Sequence, residues 1–472
     1  MFSLLAPGRS STHCQAPGTS AKQINRRTWL SAATALFATS CVTEAAHDPA
    51  QESTGVVGAA LTNPALPSAE TFSNWNQVLR AEAGGRDVTL VNLNTVDQNI
   101  AAIKNQLGPQ FSFRVVTKSL PSIALLDYVL QKAGTNKVMA FSEGFLRSLL
   151  AHFKGGLDIL LGRPMPVQGA ARVLKEHPNF GRQVKWLVDT KERLVEYLTL
   201  ADSIHHPLRI ALEIDVGLRR GGARNASELL EMLAIIAQNS GRLRFAGFMG
   251  YEGHVPFAPP GFDSDTEFGD VMARYAEFVQ VGSQAYPSLF TGELVYNSGG
   301  SGTFYRYNQN LTTPINDIAL GSAVIMPEHF MSLAPLGLAP AVFMAAPILK
   351  RVEPAELPFA YGYLPILAQS DPTLEVAYFQ VAGGFPGEIV YPSGLVSNPF
   401  IPSAQDGVQG LLPNQTLKNG SSDLPLGVGD FVFYHPWEGT SLGWLSHIEV
   451  FRDETIVNRW STFREGCASN CK

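Results

Sequence analysis

The chain has 472 residues, 45% apolar and only 16% charged, and a formal charge of −6 from 41 acidic and 35 basic side chains. So high an apolar fraction excludes a disordered chain, and the acidic balance excludes a protein built to attract nucleic-acid phosphate. The length allows two or three domains whose cores need no cross-links.

Residues 1–41 read as an export signal. Arg26-Arg27-Thr28-Trp29-Leu30 sets paired arginines before an uncharged run from Trp29 to Ala38. That run is too short for a permanent membrane helix, which needs about 20 residues. A charged start, an apolar middle and small residues at the end describe a removable segment. The pair is similar to the twin-arginine signals of bacteria, which implies a periplasmic or envelope location. Ala38-Thr39-Ser40-Cys41 resembles a lipoprotein cleavage site. A lipid anchor at Cys41 and cleavage near Ala45-Ala46 both stay open. Residues 42–68, small, polar and proline-containing, read as a flexible linker. The remaining cysteines are Cys14, Cys467 and Cys471, so no disulfide is expected within the fold. Residues 467–472 form a tail in which Cys467 and Cys471 either pair or stay free.

From Val88 onward apolar strands alternate with amphipathic helices. Strands are expected at Phe113–Val116, Val138–Phe141, Asp158–Leu161, Val184–Val188, Arg209–Ile214, Arg244–Met249, Glu293–Tyr296 and Ile318–Ile325. Several are unbroken apolar runs, the pattern of strands buried on both faces. Helices are expected between them, at Glu192–Leu200 and at Ser227–Gln238, where Leu229, Leu230, Leu233 and Ile236 follow a helical spacing. Eight such strands close a TIM barrel, so the fold class is α/β, with a (β/α)8 TIM barrel over 69–338. An open doubly wound sheet is the alternative. From about Ala339 proline, glycine and aromatics rise. Short strands at Leu374–Val381, Asp430–Tyr434 and His447–Phe451 indicate a C-terminal β domain over 339–466.

A barrel carries its chemistry after the C-terminal ends of its strands. After the first comes Thr117-Lys118-Ser119, and a desolvated lysine there is able to form a Schiff base with an aldehyde. After the fifth, Glu213 to Gly222 sets two carboxylates and then glycines around Arg219-Arg220. After the sixth, Tyr251-Glu252-Gly253-His254 groups an aromatic, an acid and an imidazole. After the seventh, Asn297-Ser298-Gly299-Gly300-Ser301-Gly302-Thr303 offers backbone N–H groups and hydroxyls able to cradle a phosphate.

In this order the loops resemble the fold-type III pyridoxal-phosphate enzymes: alanine racemase, D-threonine aldolase and D-serine dehydratase. Val91-Asn92-Leu93-Asn94 to Asn99-Ile100 looks like their barrel-opening helix, and the likeness spans about Val88 to Phe463. It implies pyridoxal 5'-phosphate bound through a Lys118 Schiff base, with Lys118 also moving the α-proton of an amino-acid substrate. It implies Arg220 near the cofactor's phenolic oxygen, Tyr251 beside its ring, and Ser298, Gly299, Gly300 and Ser301 around its phosphate. Tyr251 and His254 are further candidates for proton transfer, and a homodimer is implied. Within the group the chain looks most like the aldolase and dehydratase branch, which implies a lyase or racemase acting on D-amino acids or β-hydroxy amino acids.

Two departures stand against this. Where the branch holds a divalent metal with a His-x-Asp or His-x-Cys pair, this chain has Glu438 and Thr440, a poor donor set. No metal site is therefore expected, apart from a shifted pairing of His435 with Glu438. Ala319 stands where the family places a polar or basic partner for the pyridine nitrogen. The competing readings are an envelope-anchored binding protein that kept the barrel and lost the chemistry, and a sugar-active barrel using Glu213 and Asp215.

Overall fold

Eight parallel strands close on themselves. The structure is a computed structural model that describes residues 66–463, apart from 180–182, 260, 353–374, 380–385, 393–395, 398–408 and 413–425. The expected export signal, Cys14, Cys41, the tail cysteines and the linker up to residue 65 lie outside the described residues. Helix α1 (Ala69–Glu82) leads to strand β1 (Val88–Asn92) and helix α2 (Leu93–Gln106), which Asn92 caps by accepting the Asn94 N–H at 3.1 Å. The barrel follows as β2 (Ser112–Val116), β3 (Lys137–Ala140), β4 (Asp158–Leu161), β5 (Val184–Val188), β6 (Leu208–Glu213), β7 (Leu243–Met249), β8 (Val295–Ser298) and β9 (Asp317–Leu320). All eight expected strands are present. The last is shorter than expected, because after Gly321 the residues Ser322–Ile325 turn into a short helix.

The outer helices begin where a side chain is able to satisfy their free N–H groups. Ser142, Thr190, Asn225 and Asp263 each accept such a bond at a helix start. Their apolar faces, among them Leu229, Leu233 and Ile236, pack on a strand layer that is buried almost throughout.

Closure pairs β9 with β2, setting Ser112 beside Asp317 and Arg114 beside Ala319. Inside the barrel at this end, Arg114 is fully buried and grips Asp317 with two bonds, at 2.7 and 3.0 Å. Its other nitrogen reaches the Val138 and Asp158 carbonyls. Asn297 donates to Asp317, and Lys185 pairs with Asp158. Burial lowers the Lys185 pKa to about 8, while the two cations and their bonds bring Asp158 down to about 2 against its own desolvation.

The remaining strands form a nine-stranded sheet whose main path runs β13-β14-β11-β10-β1-β16-β17. Here β10 is Val342–Val352, β11 Glu375–Phe379, β12 Gly387–Tyr391, β13 Val396–Ser397, β14 Gln409–Leu412, β15 Phe431–Pro436, β16 His447–Arg452 and β17 Thr455–Ser461. β15 pairs with β10 and β12 off that path. The segment 69–92, counted with the barrel on the sequence, sits here instead: β1 runs antiparallel to β10 and parallel to β16. Trp75 and Phe72 of α1 pack against Phe343 and Phe433, with ring centroids between 5.1 and 6.2 Å apart. Among the described residues no helix is long and apolar enough to cross a membrane.

Replacing Arg114 with Met would leave Asp317 buried without its bidentate partner. The expected cost is about 3–5 kcal/mol, read as a lower midpoint in urea unfolding.

Candidate active site

Strand β2 ends at Val116, and Thr117–Ser119 make one 3-10 turn. Thr117 donates to the Met139 carbonyl at 3.0 Å, and the Ser119 and Ser322 hydroxyls meet at 3.0 Å. Lys118 stands between these two anchors with its ammonium 5.1 Å from the centre of the Phe141 ring. It opens into a cavity of about 330 Å³ at the C-terminal end of the barrel. Burial, then the charges of Arg163 and Arg220, push the Lys118 pKa below the ordinary lysine value, while Glu438 pulls the other way.

Arg220 comes from the loop after β6. That loop folds back through Asp215 N–H to the Ala223 carbonyl and Ala223 N–H to the Glu213 carbonyl, both 2.9 Å. Gly222, at φ +90°, makes this close approach, since a Cβ there would lie 2.6 Å from the Glu213 backbone. Arg220 pairs with Glu213 at 2.9 Å, and its guanidinium lies 5.1 Å from the centre of the Tyr251 ring. The Glu213 pKa rises through desolvation, against which Arg220 acts. Asp215 is occupied with its own loop, accepting the N–H groups of Gly217 and Arg219. Neither carboxylate lines the cavity, so the acid pair required by a sugar-active barrel is missing there.

The glycine loop after β8 forms the facing wall. Gly299, at φ +89°, has the Ile318 side chain 2.5 Å from where a Cβ would stand. A Cβ at Gly302 would meet Pro256 at 2.8 Å, and one at Gly321, beyond β9, would meet the Val116 carbonyl at 2.7 Å. The wall is therefore backbone, packed as closely as glycine permits. A fourth contribution comes from the second sheet. Past β15 the chain brings Glu438 and Thr440 to the same cavity, with Gly439 so close that a Cβ would lie 2.8 Å from the Ser119 carbonyl.

Of the residues singled out on the sequence, the structure brings Lys118, Arg220, Tyr251, Gly299, Gly300 and Ser301 to one cavity, with Ala319 among its lining. Two residues lie elsewhere. Ser298 turns its hydroxyl away to Glu252 at 2.7 Å, and His254 sits behind the Tyr251 loop with its Nε2 3.0 Å from Glu267. His435 does not join Glu438 either: it is buried, bonded to the Met326 carbonyl at 2.9 Å, and held neutral by a pKa of about 4 that burial sets. Glu438 has His329 as its neighbour at 3.2 Å. Among the described residues no three His, Cys, Asp or Glu side chains are grouped to hold an ion. Sequence reasoning missed Arg163, whose charge acts on Lys118, and Glu252, a fully buried carboxylate behind the glycine loop. Its position inside Tyr251-Glu252-Gly253-His254 was the available signal.

The residues fit pyridoxal phosphate. An amine of lowered pKa lines one wall, and at another stands a backbone cradle where a Cβ at Gly299 or Gly302 would collide with its neighbours. The model of the alanine racemase N-terminal domain matches residues 91–326, half of the chain. No curated protein matches the sequence significantly. Among solved structures, D-threo-3-hydroxyaspartate dehydratase from Delftia sp. HT23 is similar at TM-score 0.59 and 14% identity, covering 80% of this chain and 97% of that one. D-threonine aldolase from Filomicrobium marinum is similar at TM-score 0.57 and 14% identity, covering 79% and 94%. Alanine racemase from Bacillus anthracis is similar at TM-score 0.59 and 15% identity, covering 79% and 97%. With its barrel, its β domain and the matched racemase region, the chain belongs to the fold-type III pyridoxal-phosphate enzymes.

Proposed function

We propose that the protein is an exported amino-acid lyase or racemase that acts on D-amino acids or β-hydroxy amino acids. The observation that carries this reading is Lys118, which reaches with lowered pKa into the same cavity as the glycine cradle. Pyridoxal phosphate, when bound, supplies the electron sink that lets a bond at the substrate's Cα break. Lys118 would hold its aldehyde, Gly299 to Gly302 its phosphate and Arg220 its polar edge. Tyr251 would flank its ring.

The chain's own residues supply the rest. Lys118 Nζ, more readily neutral than a solvated lysine, is the base for the substrate's α-proton. Tyr251 keeps its phenolic proton, because partial burial and then the charge of Glu252 raise its pKa, and it is the donor on its side of the cavity. Glu213 holds the Arg220 guanidinium in place. Glu438 brings the one carboxylate among the described residues that line the cavity, so it faces the substrate's side chain. Ala319 offers no charge to the cofactor ring, which favours reactions that need a modest electron sink.

Export rests on Arg26-Arg27 and the apolar run after them. That route carries chains already folded, which suits a protein loaded with cofactor. Replacing both arginines with lysine is expected to leave the protein inside the cell, as fractionation would show.

Three measurements test the enzyme reading. The signal-free protein should show a yellow band that borohydride bleaches, leaving a reduced adduct on the Lys118 peptide. Lys118→Ala should lose the adduct and at least about 100-fold in turnover of D-amino acids, followed as aldehyde, ammonia or enantiomer release. A protein that stays colourless with added pyridoxal phosphate sinks this reading and leaves the binding-protein alternative. Aldehyde capture also has a signed pH dependence, because only the neutral amine attacks. Removing Arg163 takes away a repelling charge, raises the Lys118 pKa and moves the capture midpoint to higher pH. Glu438→Gln removes an attracting charge and moves it to lower pH.

A further inference from the structure

Four donors converge on one carboxylate behind the glycine loop. Ser298 Oγ at 2.7 Å and Gly299 N–H at 3.1 Å reach Glu252 Oε2, while Thr303 Oγ1 and Tyr307 Oη, each at 2.8 Å, reach Oε1. Glu252 is 0% exposed, and no Lys, Arg or His among the described residues lies within ion-pair distance of it. A buried carboxylate without a cation persists only if hydrogen bonds replace its water. Tyr307 keeps its hydroxyl proton and so is able to donate, since burial and then the charge of Glu252 hold its pKa well above the ordinary phenol value.

We propose that Glu252 is the positioning residue of the phosphate cradle. From behind the loop it takes the hydroxyls of Ser298 and Thr303 and the first N–H, and so holds Gly299 in its left-handed turn. The anion in front is then left to the backbone from Gly300 to Gly302. This rests on the cofactor reading above. The role predicts an unusual substitution pattern. Gln at 252 keeps an oxygen for Gly299 and Ser298 and turns its NH₂ to Thr303 and Tyr307, because a hydroxyl accepts as well as donates whereas a backbone N–H only donates. Ala leaves all four donors buried and unpaired.

The experiment compares pyridoxal phosphate with pyridoxal, which lacks the phosphate, as ligands of the cofactor-free protein, by absorbance titration. Glu252→Ala is expected to weaken pyridoxal phosphate about ten-fold or more and pyridoxal by no more than about two-fold. Glu252→Gln is expected to stay within about three-fold of the parent on both. Equal loss of both aldehydes in Glu252→Ala means a merely structural residue, and loss of neither means no role; each overturns the proposal. If the Ala variant does not fold, Tyr307→Phe, which withdraws one donor, is expected to show the same selectivity at about three-fold. A parent protein that captures neither aldehyde defeats the cofactor reading alone. Inorganic phosphate then decides the cradle by thermal shift. Stabilisation of the parent and the Gln variant that is reduced in the Phe variant and lost in the Ala variant upholds the role of Glu252, and no stabilisation of the parent, or equal stabilisation of all four, overturns it.

Discussion

A parallel barrel has no free edge, so everything at its mouth depends on the last strand finding the first. The pairing of β9 with β2 aligns Asp317–Leu320 with Ser112–Val115 and brings Gly321 against the Val116 carbonyl. The loop that carries Lys118 and the loop that leaves the final strand therefore touch, and the Ser119 and Ser322 hydroxyls join them. The same closure buries Arg114 against Asp317 at the other end of the strands. There Asp158 and Asp317 are both paired, with Arg114, Lys137 and Lys185, and these pairs hold the cylinder. At the mouth charge is left partly unbalanced around Lys118, and an unbalanced, desolvated amine is a reactive one.

The mouth is not built from the barrel alone. Gly439 lies so close to Ser119 that no side chain fits between them, and this contact delivers Glu438 and Thr440 to the cavity. The site thus has one wall from the barrel and one from the second sheet.

Much of this was legible in the sequence, for identifiable reasons. Strands buried on both faces leave largely apolar runs, several of them unbroken, and eight such strands in alternation with amphipathic helices have few other folds to adopt. The rule that chemistry follows strand ends located Lys118, Arg220, Tyr251 and the glycine loop. Partnership and side-chain direction were harder. Val88–Asn92 is as apolar as a barrel strand, and nothing in its five residues tells which sheet it joins. Ser298 and His254 stand at the right distance from their strand ends and still face away, because distance along a loop does not fix the side on which a side chain emerges. Glu252 was grouped with Tyr251 and His254 after the sixth strand, without a role of its own. Only the fold brings Ser298, Thr303 and Tyr307, 46 to 55 residues onward, to the same carboxylate.

The position of β1 has a consequence for how the molecule is made. Val88–Asn92 lies between β10, which starts at Val342, and β16, which starts at His447. During synthesis the barrel strands from β2 to β9 are complete before either neighbour of β1 exists, and α1 has no aromatic layer to cover until Phe343 and Phe433 arrive. The first of the described strands to be made is therefore among the last to be seated. Such distant pairings are the slow steps of folding. The second sheet works as a clasp that shuts only once β16 has been made, and its shutting is what carries Glu438 to the cavity.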